Sequence, residues 1–403
     1  MEHTNIKYPH KIENGIGETL IFKEVLKEQE GDRLLVENYA APGTAPVMHT
    51  HWLQDESLTV VKGRPGYEIQ GQPKKYTGNF KMHSIVILIF TISCFVSFAQ
   101  NSTAETFKND RLLVVKKNPE KGFHNDYILF VPKGTPLNKK IFLLVEPNNT
   151  GKTSDSIEVH KKYAIDLASV SSVGNNISTE LKIPLLVPIF PRPASQPLIY
   201  THALDRDVMA EKSPELKRLD LQLLEMINDA KTILTSMHIQ IVPKFFMNGF
   251  SASATFTNRF SFIHPEKIKA LAIGGFNGKL MLPQNKINAI KLNYPIGIND
   301  FSELFGKNFD SDAYTFIPQF IYMGKLDEND AVQFDDAYDE NERKIINDNI
   351  GRQVQERYFK CQKIYQENNI TPIFKTYENI GHWTTSSVNL DVIKFFFNQM
   401  QEK

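Results

Sequence analysis

Hydrophobic positions along the chain change their period once. Between Leu20 and Ile69 they alternate with polar ones, as in Leu34, Val36 and Tyr39, then Leu58, Val60 and Val61, then Tyr67 and Ile69. Gly31-Asp32 and Gly63-Arg64-Pro65-Gly66 punctuate these runs, so they predict short antiparallel strands. From residue 100 onward the pattern differs. Continuous apolar runs at 128–131, 141–146, 184–189, 244–247, 270–273, 316–322 and 372–376 are separated by helical spacing at 216–237, 343–367 and 388–400. In the first of these helices Leu216, Leu219, Leu223, Ile227, Ala230 and Leu234 share one face. Apolar strands interleaved with amphipathic helices predict an α/β, doubly wound, mostly parallel sheet.

The two regimes meet at 81–99, KMHSIVILIFTISCFVSFA. An initiator-like Met82, an uncharged run from Ile85 to Val96, and Ser97-Phe98-Ala99 before Gln100 fit a secretory signal peptide cleaved after Ala99. Its internal position leaves three accounts: a join between two proteins, translation restarting at Met82, or an uncleaved signal-anchor with 1–80 in the cytoplasm. About sixteen apolar residues fall short of the ~20 that a spanning helix needs, which favours a signal-peptide origin. The expected organisation is therefore a β domain at 1–80, the signal-like segment at 81–99 and an α/β domain at 100–403. The expected location is secreted or periplasmic, with membrane contact only if 84–99 remains as an anchor.

Composition removes several function classes. The 403 residues carry 46 basic and 46 acidic side chains, for zero formal net charge, and no basic stripe restores a local footprint for nucleic acid. Two cysteines, Cys94 in the apolar run and Cys361 in a polar stretch, build neither a disulfide framework nor a four-thiolate zinc site. Gly151-Lys152-Thr153 follows a strand as a phosphate loop would, but Glu146 stands where the first glycine belongs. Leu20 likewise replaces the third glycine after Gly15-x-Gly17. No nucleotide cofactor is expected.

In the first domain His49 and His51, one residue apart on a strand, point to one face, and Glu56 can return to it, giving two nitrogens and one oxygen for a divalent metal. The spacing G-x5-H-x-H-x4-E-x6-G, through Gly43, His49, His51, Glu56 and Gly63, resembles the first motif of the cupin family. That resemblance implies a metal bound by His49, His51 and Glu56 with a further histidine from a second motif. The chain enters its apolar segment where the second motif should fall, so the expectation is a truncated half-barrel with an incomplete metal site.

In the second domain a strand ends in Met247-Asn248-Gly249-Phe250-Ser251-Ala252-Ser253-Ala254 and turns into a helix. A serine on such a turn lifts its hydroxyl above the sheet edge, with a helix amino terminus beneath it. The turn is tight, so small neighbours are needed; Gly249 is one, and Ser253 stands where G-x-S-x-G has its second glycine. A serine nucleophile needs a base, and the base an orienting carboxylate. Asp327 lies in Gly324-Lys325-Leu326-Asp327, where the loop first leaves its strand, and is preferred to Asp330; His382 follows the last strand in Gly381-His382-Trp383.

Serine, acid and histidine in this order make 126–397 resemble the α/β-hydrolase family. The resemblance implies a Ser251–Asp327–His382 triad and an oxyanion hole formed by the backbone N–H of Ala252 with that of Asn149 or Asn148, since Pro147 has none. It implies no cofactor for this domain. Phe190-Pro191-Arg192-Pro193 and the stretch from Tyr200 to Asp207 are similar to a subgroup of secreted hydrolases of that fold, which makes Tyr200, His202 and Arg206 substrate-contact candidates. A salt-linked loop of Asp205, Arg206 and Asp207 is the competing account. The function expected is hydrolysis of a small-molecule or polymeric ester, or an amide, through an acyl-enzyme. The alternative is a metal-binding cupin module with the larger domain a passenger or binding domain.

Overall fold

The computed structural model describes residues 10–13, 18–26, 33–40, 66–67, 75–76 and 105–402, apart from 150, 171 and 277. The metal set His49, His51 and Glu56 and the apolar segment at 81–99 lie outside the described residues. The chain divides into two units, Met1–Gln100 and Asn101–Lys403.

In the first unit His10–Glu13, Glu18–Leu26 and Arg33–Ala40 pair antiparallel in a three-stranded sheet, with a register shift between Phe22 and Glu24. Gly66–Tyr67 and Lys75–Tyr76 form a second antiparallel pair. The strands begin earlier than the alternation indicates, because His10–Glu13 is too short and too polar to register as a hydrophobic run.

The second unit is a mixed α/β fold. Strands β1 (Arg111–Val115), β2 (Tyr127–Val131), β3 (Leu144–Val145), β4 (Leu185–Pro188), β5 (Phe245–Phe250), β6 (Ile268–Gly274), β7 (Gln319–Gly324) and β8 (Ile373–Tyr377) form one sheet in the order β8-β7-β6-β5-β3-β4-β2-β1. Only the pairings of β1 with β2 and β2 with β4 are antiparallel. Every residue of β2, β4 and β7 is buried, so both faces of the sheet are covered. The strand order reverses at β3, whose neighbours are β4 and β5. In open α/β sheets the crevice at such a reversal, beyond the carboxyl ends of the strands, is where ligands bind.

Helices α1 (Ile157–Ser169), α2 (Val173–Leu181), α3 (Leu219–Ser236), α4 (Ala252–Ile263), α5 (Glu340–Asn349), α6 (Val354–Glu367) and α7 (Ser386–Gln401) are the longer helices of the unit. In α3 the predicted stripe Leu219, Leu223, Ile227, Ala230 and Leu234 is buried. Helix α4 is buried at all its residues, which holds the turn before it in place.

Three expectations are corrected. The run 141–146 is not one strand: Lys140–Ile141 pairs with Gln240–Ile241, and only Leu144–Val145 joins the main sheet. The helix expected over 343–367 is two, because Gly351 takes φ +149 and Gln353 opens α6 with its own capping box to Glu356. The strand expected to end at Met247 continues to Phe250, since buried Asn248 finds a partner inside the core.

Candidate active site

Strand β5 carries the sheet straight into Ser251. This serine has φ 62 and ψ −126, a conformation costly for a residue with a side chain and held here by the backbone around it. Its N–H donates to the Gly274 carbonyl at 2.9 Å, and its own carbonyl accepts from Ala254 N–H at 3.1 Å. Gly249 must be glycine: a Cβ there would lie 2.4 Å from the Ser253 carbonyl oxygen. Ser253 uses its side chain instead. Its Oγ donates to the Phe250 carbonyl at 2.8 Å and accepts from the Phe250 N–H at 2.9 Å, so a hydroxyl closes the turn where G-x-S-x-G has its second glycine.

The imidazole of His382 meets the serine. Its Nε2 is 2.9 Å from Ser251 Oγ, and its Nδ1 is 3.1 and 3.0 Å from the two carboxylate oxygens of Asp327. Asp327 is 1% exposed at its side chain, whereas His382 keeps 28%. The Phe250 ring packs against the imidazole with centroids 5.0 Å apart, and Gly275, at φ +55, passes so close that a Cβ would lie 3.2 Å from His382 Cε1. Asp330 points elsewhere: its Oδ1 pairs with the buried guanidinium of Arg357 and accepts from Val332 N–H. Asp327 is therefore the carboxylate at the histidine.

Ala252 opens α4, so its N–H has no intrahelical acceptor and stands beside Ser251. Asn149 is drawn to the same turn by its side chain, whose Nδ2 donates to the Phe250 carbonyl at 2.9 Å. Asn148 is fully buried and clamps the loop after β3 to the chain after β4: its Nδ2 donates to the Phe190 carbonyl at 3.0 Å, and its Oδ1 accepts from Phe190 N–H at 3.1 Å.

The three substrate-contact candidates occupy different places. His202 is fully buried, with Nε2 2.9 Å from the Phe190 carbonyl and 3.2 Å from Asn148 Nδ2, so it props the loop from inside. Arg206 donates to the Tyr294 carbonyl and pairs with Asp300 at 2.6 Å, while Asp205 accepts from the N–H groups of Tyr200 and Val208. The salt link thus runs to Asp300 rather than among 205–207. Tyr200 is half-buried beneath the Arg192 guanidinium, 3.9 Å from its ring centroid, and Arg192 also bonds Asp336.

Sequence reasoning missed Asn329, whose Nδ2 is 3.3 Å from His382 Nε2, and Glu146, whose buried carboxyl lies behind the site. Among the described residues no group of three or more His, Cys, Asp or Glu side chains is placed to hold a metal ion, and no helix is long and apolar enough to cross a membrane.

No protein-family model and no curated protein matches this chain. Among solved structures it is similar to poly(aspartic acid) hydrolase-1 from Sphingomonas sp. KT-1, at 15% identity and TM-score 0.48, covering 73% of this chain and 99% of that one. An S-formylglutathione hydrolase from Agrobacterium tumefaciens is similar at 9% identity and TM-score 0.43, over 75% and 98%. Est1E from Butyrivibrio proteoclasticus is similar at 14% identity and TM-score 0.37, over 72% and 99%.

Proposed function

We propose that residues 100–403 are a serine hydrolase that cleaves an ester, with an amide as the less favoured substrate, through an acyl-enzyme. The observation that carries this reading is the chain of contacts from Asp327 to His382 Nδ1 and from Nε2 to Ser251 Oγ. Each part has a definite task. Asp327 fixes the proton of the imidazole on Nδ1, leaving Nε2 bare toward the serine. As Oγ attacks the substrate carbonyl its proton passes to Nε2, and the oxyanion that forms is held by the N–H groups of Ala252 and Asn149. Nε2 returns the proton to the leaving group, and water then releases the acyl chain. No metal or organic cofactor enters these steps.

A fluorophosphonate probe tests the reading. Wild-type protein should be labelled at Ser251, and Ser251→Ala should lose the label; equal labelling of both would end the proposal. Export belongs to the same proposal through the segment at 82–99, and amino-terminal sequencing of secreted protein is expected to begin at Gln100.

A further inference from the structure

We propose that Asn329 is a catalytic residue of deacylation, holding the water that His382 activates; this rests on the Ser251–His382–Asp327 reading above. The carboxamide of Asn329 lies 3.3 Å from His382 Nε2, the same nitrogen that faces Ser251 Oγ. Its position is set by the acid of the triad. Asp327 Oδ1 accepts from the Asn329 backbone N–H at 3.0 Å while also facing His382 Nδ1, so one carboxylate orients both the imidazole and the amide beside it. The loop that carries them is pinned on several sides. Leu326 N–H donates to the Ile380 carbonyl at 2.8 Å, Gln355 Nε2 reaches the carbonyls of Gly324 and Asp327 at 3.0 Å, and Asp330 is tied to Arg357. Asn329 is itself exposed and the His382 side chain keeps 28% of its surface, so both groups are within reach of solvent.

The chemistry requires a group there. While serine is free, its hydroxyl supplies the proton that Nε2 takes. Once Ser251 is acylated Oγ carries no proton, and the donor must be a water molecule. A water at about 2.8 Å from Nε2 lies within hydrogen-bond reach of an amide that is itself next to Nε2. Donation from Asn329 Nδ2–H to one lone pair of that water leaves the other lone pair free to attack and turns one O–H toward Nε2. The water oxygen bonds to the acyl carbon as its proton moves to Nε2 and the carbonyl electron pair moves to the oxyanion. The intermediate then collapses with cleavage of the carbon–Oγ bond, Nε2 returns the proton to Oγ, and a carboxylic acid leaves. Nothing is oxidised or reduced. Acylation uses no water, so the second half-reaction depends on Asn329 far more than the first.

The test is burst kinetics of the full chain with p-nitrophenyl acetate as probe, for wild type, Asn329→Ala and Asn329→Ser. In Asn329→Ala the acylation burst and the fluorophosphonate labelling rate should stay within about threefold of wild type, while steady-state turnover falls about 10- to 100-fold as acyl-enzyme accumulates. Asn329→Ser, which keeps a short hydrogen-bonding group, should recover part of the turnover, and hydroxylamine should speed release from both variants. Equal losses in burst and turnover, unchanged turnover, or loss of labelling in both variants would overturn the assignment. A wild-type protein with neither burst nor label would instead overturn the triad reading beneath it.

Discussion

Glu146, at the end of β3, accepts a 2.8 Å hydrogen bond from Nδ2 of Asn248 in β5, three residues before Ser251. The pair ties the strand that leads to the Asn148-Asn149 loop to the strand that leads to the serine. The Gly174 N–H at the start of α2 donates to the same carboxyl, and a Cβ at Gly174 would sit 1.9 Å from Oε2, so the chain approaches as closely as a glycine allows. Burial pushes this carboxyl up from 4.5 to about 7, and the two donors offset only part of that rise.

A stability slope follows from the raised value. Between about pH 4.5 and 7 the folded protein keeps a proton that the unfolded chain releases, so stability is greatest below that window and falls as pH rises through it. The full shift corresponds to a loss on the order of 3 kcal/mol. Urea midpoints at pH 5 and pH 8 should therefore differ by more in wild type than in Glu146→Gln, which has no proton to lose. Parallel pH dependence in the two proteins would remove Glu146 from the account.

Gly249→Ala should abolish activity through geometry alone. The added methyl would meet the Ser253 carbonyl at 2.4 Å, and the turn has to open to relieve it. A displacement near 1 Å at a reacting group costs about 10²-fold in rate, so labelling of Ser251 should slow by at least about that factor. Ser253→Gly restores the commoner pattern at this turn but removes two hydrogen bonds; it should label at a near-normal rate and lose about 1 kcal/mol of stability. Normal labelling of Gly249→Ala would show that the contact relaxes harmlessly.

Much of this architecture was readable because strands buried on both faces are nearly all apolar, whatever their direction, which makes the strands at 128–131 and 270–273 stand out against the spaced face of α3. The convergence of three polar side chains was readable for a related reason. Ser251, Asp327 and His382 each sit where a strand ends and a loop begins, and Gly249, Gly324 and Gly381 mark those exits. What escaped notice has no period. Asn248 interrupts an apolar run, so the hydrophobic pattern ends at Met247 while the strand runs on to Phe250, and the interruption is the polar contact to Glu146. Asn329 is an amide on an exposed loop and has no pattern until the fold brings it to His382. His202, a substrate-contact candidate because its stretch follows the carboxyl end of a strand, is buried instead against the Phe190 carbonyl and Asn148. The His49, His51 and Glu56 metal set lies outside the described residues.

Asp327 and Asp330, three residues apart, should fail in different ways when changed to asparagine. Asp327→Asn puts a neutral amide, able to donate, where the carboxylate fixes the His382 proton on Nδ1, and turnover should fall on the order of 10³- to 10⁴-fold with little change in stability. Asp330→Asn leaves the triad contacts in place but strips the carboxylate from Arg357, whose side chain has no exposed surface. An uncompensated buried charge costs about 3 to 5 kcal/mol, so this variant should melt early while its labelling rate in the folded state stays close to wild type. Kinetics and thermal melts on both variants separate the roles, and a large kinetic defect in Asp330→Asn would reverse the assignment of the acid.

Acid stability should depend on a site well away from the chemistry. Asp220, at the start of α3, is fully buried, accepts from Arg218 Nε and Nη2 at 2.9 and 2.8 Å, and lies 2.9 Å from His264 Nε2 beyond the end of α4. Burial alone would raise its carboxyl, but the hydrogen bonds from Arg218 and His264 outweigh it and bring the group down from 3.8 to about 2. Here the unfolded chain takes up the proton first. The stabilisation is complete above pH 3.8 and is lost as pH falls from there through about 2, with a size on the order of 2 kcal/mol. Asp220→Asn should be less stable than wild type at pH 7, and the gap should narrow as both are titrated from pH 5 to pH 2 in mild urea. A gap that stays constant over that range would mean the carboxylate is held by its shape in the packing between α3 and α4 and not by its charge.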